Sequence, residues 1–336
     1  MEGNPGHLHQ ESHVYSSQDL PQVLVLEPPP ILKHYSGYFS DKFDLLKAWE
    51  SSLPLNQFLA THARSARALL SPGRYPLTAD ILQLLPSLKL IVTTSVGLNH
   101  IDLPECRRRG IAIADAGNVY NADVADLAVG LLIDVWRKIS GADGYVRRGL
   151  WATNGGFPLG SKLGGKRVGI VGLGSIGLEV AKRLEVFGCE ILYNSRKKKP
   201  FVSYPYYSNV CDLASEADVL IICCGLSDQT RNMINKPVMK ALGKKGVIVN
   251  VGRGRIINEK ELVQFLVEGE IGGAGLDVFE NEPLVPQELF TLQNVVLSPH
   301  MAMFTPESLW SICEVLVGNL ENFFSNKPLI SQVMDV

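Results

Sequence analysis

The hydrophobic pattern changes period repeatedly along the chain. It opens with Gln22-Val23-Leu24-Val25-Leu26, an apolar run cut off by Pro28-Pro29-Pro30, which predicts a short buried strand ended where proline can no longer donate to a sheet ladder. From there to about residue 118, helical spacing alternates with runs such as Ala68-Leu69-Leu70 and Leu88-Lys89-Leu90-Ile91-Val92-Thr93-Thr94. That alternation is an α/β pattern. Between Asn121 and Ile139, Val124, Leu127, Ala128, Leu131, Leu132 and Val135 recur at helical spacing on a broad face, predicting a helix that is buried or faces a second subunit. After Leu163-Gly164-Gly165 a second series begins: strand 167–171, helix 176–187, strands 190–193 and 218–224, strand 246–250, helix 259–267, then strands 273–278 and 294–297. Strands separated by helices predict a parallel, doubly wound sheet. Residues 1–20, rich in Gly, His, Ser and Gln and without an apolar period, are expected to form a disordered tail.

Composition narrows the class. A chain of 336 residues, 46% hydrophobic, is long enough for two domains that each bury a core. The net charge of −2, with both signs interspersed, gives no global field to recruit nucleic acid or an anionic membrane. No run of eighteen apolar residues occurs, the first twenty residues lack the basic-then-apolar order of a secretory signal, and Gln332–Val336 is neither a peroxisomal address nor a prenylation box. The expectation is a soluble, cytoplasmic protein with no membrane partner. The six cysteines form no C-x-x-C pair; they are read as reduced thiols, and no residue is assigned to a metal.

Candidate chemistry begins at Gly172-Leu173-Gly174-Ser175-Ile176-Gly177. The glycine spacing alone is a weak signal, but the apolar strand Val168–Val171 runs into it, and Ile176, Val180, Leu184 and Phe187 give the following helix a sheet-facing stripe, the context a dinucleotide fingerprint requires. Gly172 permits the tight turn, Gly174 lets backbone approach a pyrophosphate, and Gly177 allows close helix–strand packing, while the helix N-terminus offers N–H groups to the anion. About twenty residues on, NAD-specific proteins place an acid for the ribose 2′-OH. Here the segment reads Tyr193-Asn194-Ser195-Arg196-Lys197-Lys198-Lys199, with no carboxylate. Ser195, Arg196 and Lys197 can instead bind a 2′-phosphate through a hydroxyl and charge-assisted bonds. NADPH is therefore expected over NADH.

With the glycine loop, three further motifs, Asn250-Val251-Gly252-Arg253-Gly254, Gly275-Leu276-Asp277-Val278-Phe279-Glu280-Asn281-Glu282-Pro283 and Ser298-Pro299-His300, resemble those of the D-isomer-specific 2-hydroxyacid dehydrogenases. The resemblance runs from about residue 22 to the end. It is strongest toward plant-type glyoxylate, hydroxypyruvate and hydroxyphenylpyruvate reductases, including Val146-Arg147-Arg148-Gly149-Leu150-Trp151 and Pro205-Tyr206-Tyr207. It implies reduction of a small 2-oxo acid to a D-2-hydroxy acid, which needs a hydride to the carbonyl carbon, a proton for the developing alkoxide and a cation on the substrate carboxylate. An imidazole titrates near neutrality, and a neighbouring carboxylate favours its charged form and orients the ring. By matching positions, His300 is the proton donor, Glu282 its partner, and Arg253 the planar fork that binds the substrate and polarises its carbonyl. Taken singly, each could be an ordinary strand-end or turn residue; on loops after successive strands they form the constellation an open α/β sheet uses for ligands.

The same resemblance implies that backbone N–H groups of Ser95, Val96, Gly97 and Leu98 bind the substrate carboxylate. Val251, Gly252, Arg253 and Asp277 are expected along the cofactor, and Trp151 is read as packing. It implies a Rossmann-like NADP domain at 119–299 inserted in a flavodoxin-like substrate domain at 21–118 and 300–336, a cleft between them that closes on the substrate, and a homodimer built around the Asn121–Ile139 helix. One segment departs from the family: after the histidine, where relatives carry small residues, this chain has Met301-Ala302-Met303-Phe304, bulk that bears on which 2-oxo acid fits. An aryl-pyruvate such as hydroxyphenylpyruvate is the alternative substrate. A different class, a nucleotide-sensing binding protein akin to the corepressors of this superfamily, is disfavoured by the complete catalytic set.

Overall fold

The computed structural model describes residues 20–334 except Arg74; the expected tail at residues 1–20 lies outside that range apart from Leu20. The described chain divides into two compact units, one running to Gly117 and resuming at Ile312, the other spanning Asn118–Ser311. The return thus falls after residue 311, not at residue 300. The first residues of the helix Pro306–Phe324 belong with the second unit, where the Thr305 hydroxyl donates to Asp123 and accepts the Ser308 N–H.

In the first unit, β1 (Gln22–Val25), β2 (Asp44–Lys47), β3 (Ala68–Ser71), β4 (Leu90–Thr93) and β5 (Ala112–Ala114) form a sheet of order β2-β1-β3-β4-β5. Every pairing is parallel, and this order is the flavodoxin-like one. Strands β3 and β4 are buried throughout, which is why they read as continuous apolar runs. Strand β2, at the edge and with no fully buried residue, carries Asp44 and Lys47 at its ends and gives no such signal. Leu24, Leu69, Ile91 and Ile113 meet Phe58, Leu59 and Leu82 in the core on one face.

In the second unit, β6 (Arg167–Val171), β7 (Glu190–Asn194), β8 (Tyr206–Tyr207), β9 (Val219–Ile222), β10 (Val247–Asn250), β11 (Gly273–Leu276) and β12 (Val295–Leu297) form a parallel sheet of order β12-β11-β10-β9-β6-β7-β8. Strand order reverses between β6 and β9, the Rossmann switch point outside which such sheets bind ligands. Both sheets are doubly wound, as expected. Several strands are shorter than their apolar runs. Strand β9 stops at Ile222 and β11 at Leu276, because the residues that follow turn out of the ladder to build loops.

The helix expected over 121–139 spans Asn121–Arg137. Lys138 adopts φ +57° and ends it, and a separate helix, Ile139–Arg147, follows. The apolar face of Asn121–Arg137 is covered inside this unit: Leu131 and Val135 lie against β11 so closely that a Cβ added at Gly275 or Gly273 would meet them at 3.0 and 2.8 Å. Glycine in β11 is what lets this helix approach the sheet. Among the described residues no helix is long and apolar enough to cross a membrane.

Candidate active site

The glycine loop leaves β6 at the switch point. Gly172 adopts φ +98°, its N–H donates to Asn194 O at 2.9 Å, and a Cβ there would lie 2.6 Å from the backbone N and Cβ of Cys224, beyond β9. Only glycine satisfies both conditions. A Cβ at Gly177 would lie 2.3 Å from Gly172 O, whereas one at Gly174 would meet nothing within 4 Å. Gly174 caps the helix Ser175–Val186 without any side-chain hydrogen bond. The helix N-terminus is therefore open to backbone approach, and these residues fit the pyrophosphate of a dinucleotide.

At the end of β7 the position for a ribose-binding acid holds Asn194, whose amide donates to Tyr207 O and Ser208 O at 2.8 and 3.2 Å. The Ser195 hydroxyl donates to Lys197 O at 2.6 Å, and the Tyr206 hydroxyl donates to Ser195 O at 3.2 Å. These bonds fix a turn from which Arg196, Lys197 and Lys198 project as exposed cations. In this structure the Ser195 hydroxyl closes the turn.

The turn after β10 is built by Asn250, which is fully buried. Its Oδ1 accepts the Gly252 N–H at 3.0 Å and its Nδ2 donates to Arg253 O at 3.1 Å. Arg253 Nη1 donates to Gly252 O at 2.7 Å. Val251 is buried. Gly254, which follows Arg253, touches the turn after β11: a Cβ there would sit 1.9 Å from the carbonyl carbon of Phe279. Glu259, largely buried at the start of the helix Glu259–Val267, accepts the Glu280 N–H at 3.0 Å. Burial pushes its carboxyl up, as do the charges of Glu280 and Glu282, while the Glu280 N–H opposes them.

Glu282 closes this turn. Its Oε1 accepts the Phe279 N–H at 3.1 Å and its Oε2 lies 2.7 Å from His300 Nδ1. Burial alone would push the Glu282 carboxyl up. The hydrogen bond and charge of His300, the Phe279 N–H and the charge of Arg253 outweigh it and hold the carboxyl below the usual glutamate range. His300 itself has φ +52°, in the left-handed region that few non-glycine residues enter. The loops after β10, β11 and β12 thus bring Arg253, Glu282 and His300 to the same end of the sheet as the glycine loop. Asp277, immediately after β11, is 1% exposed and directs both carboxylate oxygens at the residues flanking His300.

The other expected substrate residues, Ser95–Leu98, form the loop after β4 in the first unit. Ser95 Oγ donates to Gly97 O at 2.8 Å, and Gly73 lies so close that its Cβ would meet Ser95 Cβ at 2.3 Å. Beyond His300, Phe304 N donates to Met301 O at 2.8 Å, a turn that buries Ala302 and leaves Met301 and Phe304 45% and 40% exposed. The hydrogen-bonding roles of Asn250, Glu259 and Ser298 were not readable in the sequence, although Asn250 and Ser298 stand in its motifs, because their partners are mainly backbone N–H groups and one distant carboxylate.

Comparisons with known proteins agree with this geometry. Residues 129–302 match the model of the D-isomer specific 2-hydroxyacid dehydrogenase NAD binding domain. The chain is 56% identical over 314 residues to a glyoxylate/hydroxypyruvate reductase of Arabidopsis thaliana, covering 93% of this chain and 97% of the relative. It is 46% identical to a hydroxyphenylpyruvate reductase of Plectranthus scutellarioides, covering 92% and 98%. Among solved structures, an NADPH-dependent glyoxylate/hydroxypyruvate reductase of Sinorhizobium meliloti in complex with NADP and malonate superposes with a TM-score of 0.85 at 33% identity, covering 93% of this chain and 96% of that one. Since this likeness spans both parallel-sheet units as well as the loops that carry the histidine–glutamate pair, the chain belongs to the D-isomer-specific 2-hydroxyacid dehydrogenases.

Proposed function

We propose that the protein is an NADPH-preferring reductase of small 2-oxo acids, glyoxylate and hydroxypyruvate, yielding the 2-hydroxy acid in D configuration where the new centre is chiral. The observation that carries this is the 2.7 Å pair of His300 Nδ1 and Glu282 Oε2 on the same sheet end as the open helix N-terminus behind Gly174. Bound nicotinamide supplies the hydride. With Nδ1 engaged by Glu282, His300 presents Nε2 to the substrate carbonyl oxygen and delivers the proton there. Glu282 fixes the ring and compensates its positive charge. Arg253 takes the substrate carboxylate and carbonyl oxygen, stabilising the negative charge that grows on that oxygen, and the Ser95–Leu98 loop is assigned to the carboxylate through its backbone N–H groups.

Support for NADPH comes from the absence of a carboxylate after β7 and the cations Arg196 and Lys197 beside Ser195. The glycine loop, Val251 and Gly252 complete the assigned cofactor surface. A homodimer is part of the proposal: helices Ile139–Arg147 and Leu150–Asn154 contain no buried residue and expose Ile139, Val146 and Trp151, apolar surface suited to a second copy. A second substrate class, aryl-pyruvates, is favoured by Met301 and Phe304, which present apolar surface next in sequence to His300. The test is purified protein with NADPH or NADH and each of glyoxylate, hydroxypyruvate and 4-hydroxyphenylpyruvate, following loss of the reduced nicotinamide absorbance. Turnover with NADPH is expected; no consumption with any acid refutes the proposal.

A further inference from the structure

The geometry points to Glu259 as a positioning residue that sets Glu282 through the backbone of Glu280, an inference that rests on the reductase reading above. Glu259 opens the helix Glu259–Val267 and is only 9% exposed. Its Oε1 accepts the Glu280 N–H at 3.0 Å, and the carbonyl of Glu280 accepts Arg255 Nε at 3.3 Å. One residue earlier, the Phe279 N–H donates to Glu282 Oε1 at 3.1 Å, and Glu282 Oε2 lies 2.7 Å from His300 Nδ1. The turn that carries Glu282 is therefore held at both backbone groups of Glu280 by side chains that follow β10. Through the Phe279 N–H that hold passes to the imidazole.

Two features set Glu259 apart from an ordinary acid at a helix start. The helix is already capped: Asn258 Oδ1 accepts the Glu261 N–H at 3.3 Å, and Glu259 turns its oxygen away from its own helix to a loop 21 residues on. It also stands against like charge. Burial and the charges of Glu280 and Glu282 push its carboxyl up, with only the Glu280 N–H opposing them, so charge is a poor reason for an acid here. What the site uses is a side chain long enough to bring an oxygen to the Glu280 N–H. Withdrawn from that acceptor, the N–H is left unsatisfied, and the peptide rotates toward another partner. Glu282, fixed to the preceding Phe279 N–H, is then displaced from His300.

Two substitutions separate reach from charge. Glu259→Gln keeps the length and an oxygen and drops the charge. Glu259→Asp keeps the charge, suits the first turn of a helix, and draws the oxygen back by about 1.5 Å, one carbon–carbon bond. Glu259→Gln should stay within about threefold of wild-type kcat with an unmoved pH profile. Glu259→Asp should lower kcat about 10- to 100-fold, from a displacement of up to about 1 Å in the proton-transfer pair, with the Kd for NADPH from fluorescence titration changed by less than about threefold. An imidazolium parted from its carboxylate gives up its proton more readily, so the alkaline fall of kcat/KM moves to lower pH in Glu259→Asp. That shift should be absent when Glu259→Asp is made in a Glu282→Gln background, where no charged partner is left to lose. Arg255→Ala removes the longer bond to Glu280 from an exposed side chain and should move the profile in the same direction by less. Should Glu259→Asp not fold, an unmoved Arg255→Ala profile overturns the inference. Glu259→Gln impaired as much as Glu259→Asp, or more, would assign the effect to charge and overturn it. A lower kcat in Glu259→Asp with the profile unmoved would make Glu259 a purely structural group and overturn it equally. Wild-type protein that reduces no 2-oxo acid would instead sink the underlying reductase reading.

Discussion

Gly254→Ala probes whether the active centre depends on backbone contact between two loops. The added methyl would lie 1.9 and 2.0 Å from the carbonyl carbon and oxygen of Phe279 and 2.4 Å from Glu280 N. Ordinary contact begins near 3.4 Å, so one loop must move by about 1.5 Å, and both partners are backbone that cannot rotate away as a side-chain tip can. The loop before Gly254 carries Arg253; the loop after Phe279 carries Glu282, through the Phe279 N–H that Glu282 accepts. Either movement separates the guanidinium from the proton-transfer pair. A displacement of about 1 Å costs roughly 100-fold in rate, about 2.7 kcal/mol of transition-state stabilisation, so kcat/KM for the preferred 2-oxo acid should fall at least that far. The crowding should also cost about 1–3 kcal/mol of stability, read as a lower urea midpoint. Gly156→Ala, where a Cβ meets nothing within 4 Å, is the control and should leave both quantities unchanged. A Gly254→Ala protein within about threefold of wild-type kcat/KM would show that the loops are not coupled through this contact.

Glu282→Gln keeps an oxygen for the imidazole N–H but loses the charge, replacing a bond of about 1.5–3 kcal/mol by one of about 0.5–1.5; kcat should drop about tenfold, and an unchanged kcat would contradict the proposed pair. Because the folded protein holds the Glu282 carboxyl below its usual range, the stability contributed by its ionisation is present above about pH 4.3 and lost as pH falls through the lower folded value. Urea midpoints of wild type and Glu282→Gln should therefore converge on acidification, and a constant gap from pH 7 to pH 3 would contradict the assignment. Arg196→Asp replaces a cation of the turn after β7 with a carboxylate and should raise the KM for NADPH about 10- to 100-fold, the loss of one charge-assisted bond of about 1.5–3 kcal/mol, while leaving NADH nearly unaffected; equal losses for both cofactors would end the 2′-phosphate assignment. Gly37 is exposed within the helix Pro30–Ser40, and its Cβ would meet nothing within 4 Å, so Gly37→Ala should raise stability by about 0.4–1 kcal/mol, seen as an increased thermal midpoint with unchanged activity.

How much of this was readable in the sequence follows from what each residue bonds to. Strands β6, β9, β10 and β11 were legible because a doubly covered parallel sheet makes them continuous apolar runs, and the glycine loop because its constraints fall on the glycines themselves. Edge strands β2 and β8 were not: one exposes charged ends and the other is only Tyr206–Tyr207. The break at Lys138 carries no proline or glycine to announce it. Arg253, Glu282 and His300 were found because their chemistry lies in the side chain, where a motif can record it. Asn250 and Asp277 stand in the motifs, and Asp277 was read as a cofactor residue, but the bonds that they and Glu259 make in the structure go mainly to backbone N–H groups, donors that every residue but proline possesses, so nothing in the partner's identity betrays the bond. Their trace is positional. Asn250 closes the buried strand Val247–Asn250, and Asp277 follows directly on the buried strand Gly273–Leu276. A polar residue set against a fully buried strand must find donors and acceptors without water, and at the carboxyl end of such a strand those it finds belong to the loops that carry the chemistry. Glu259 lacks even that trace, because an acid in the first turn of a helix is commonplace.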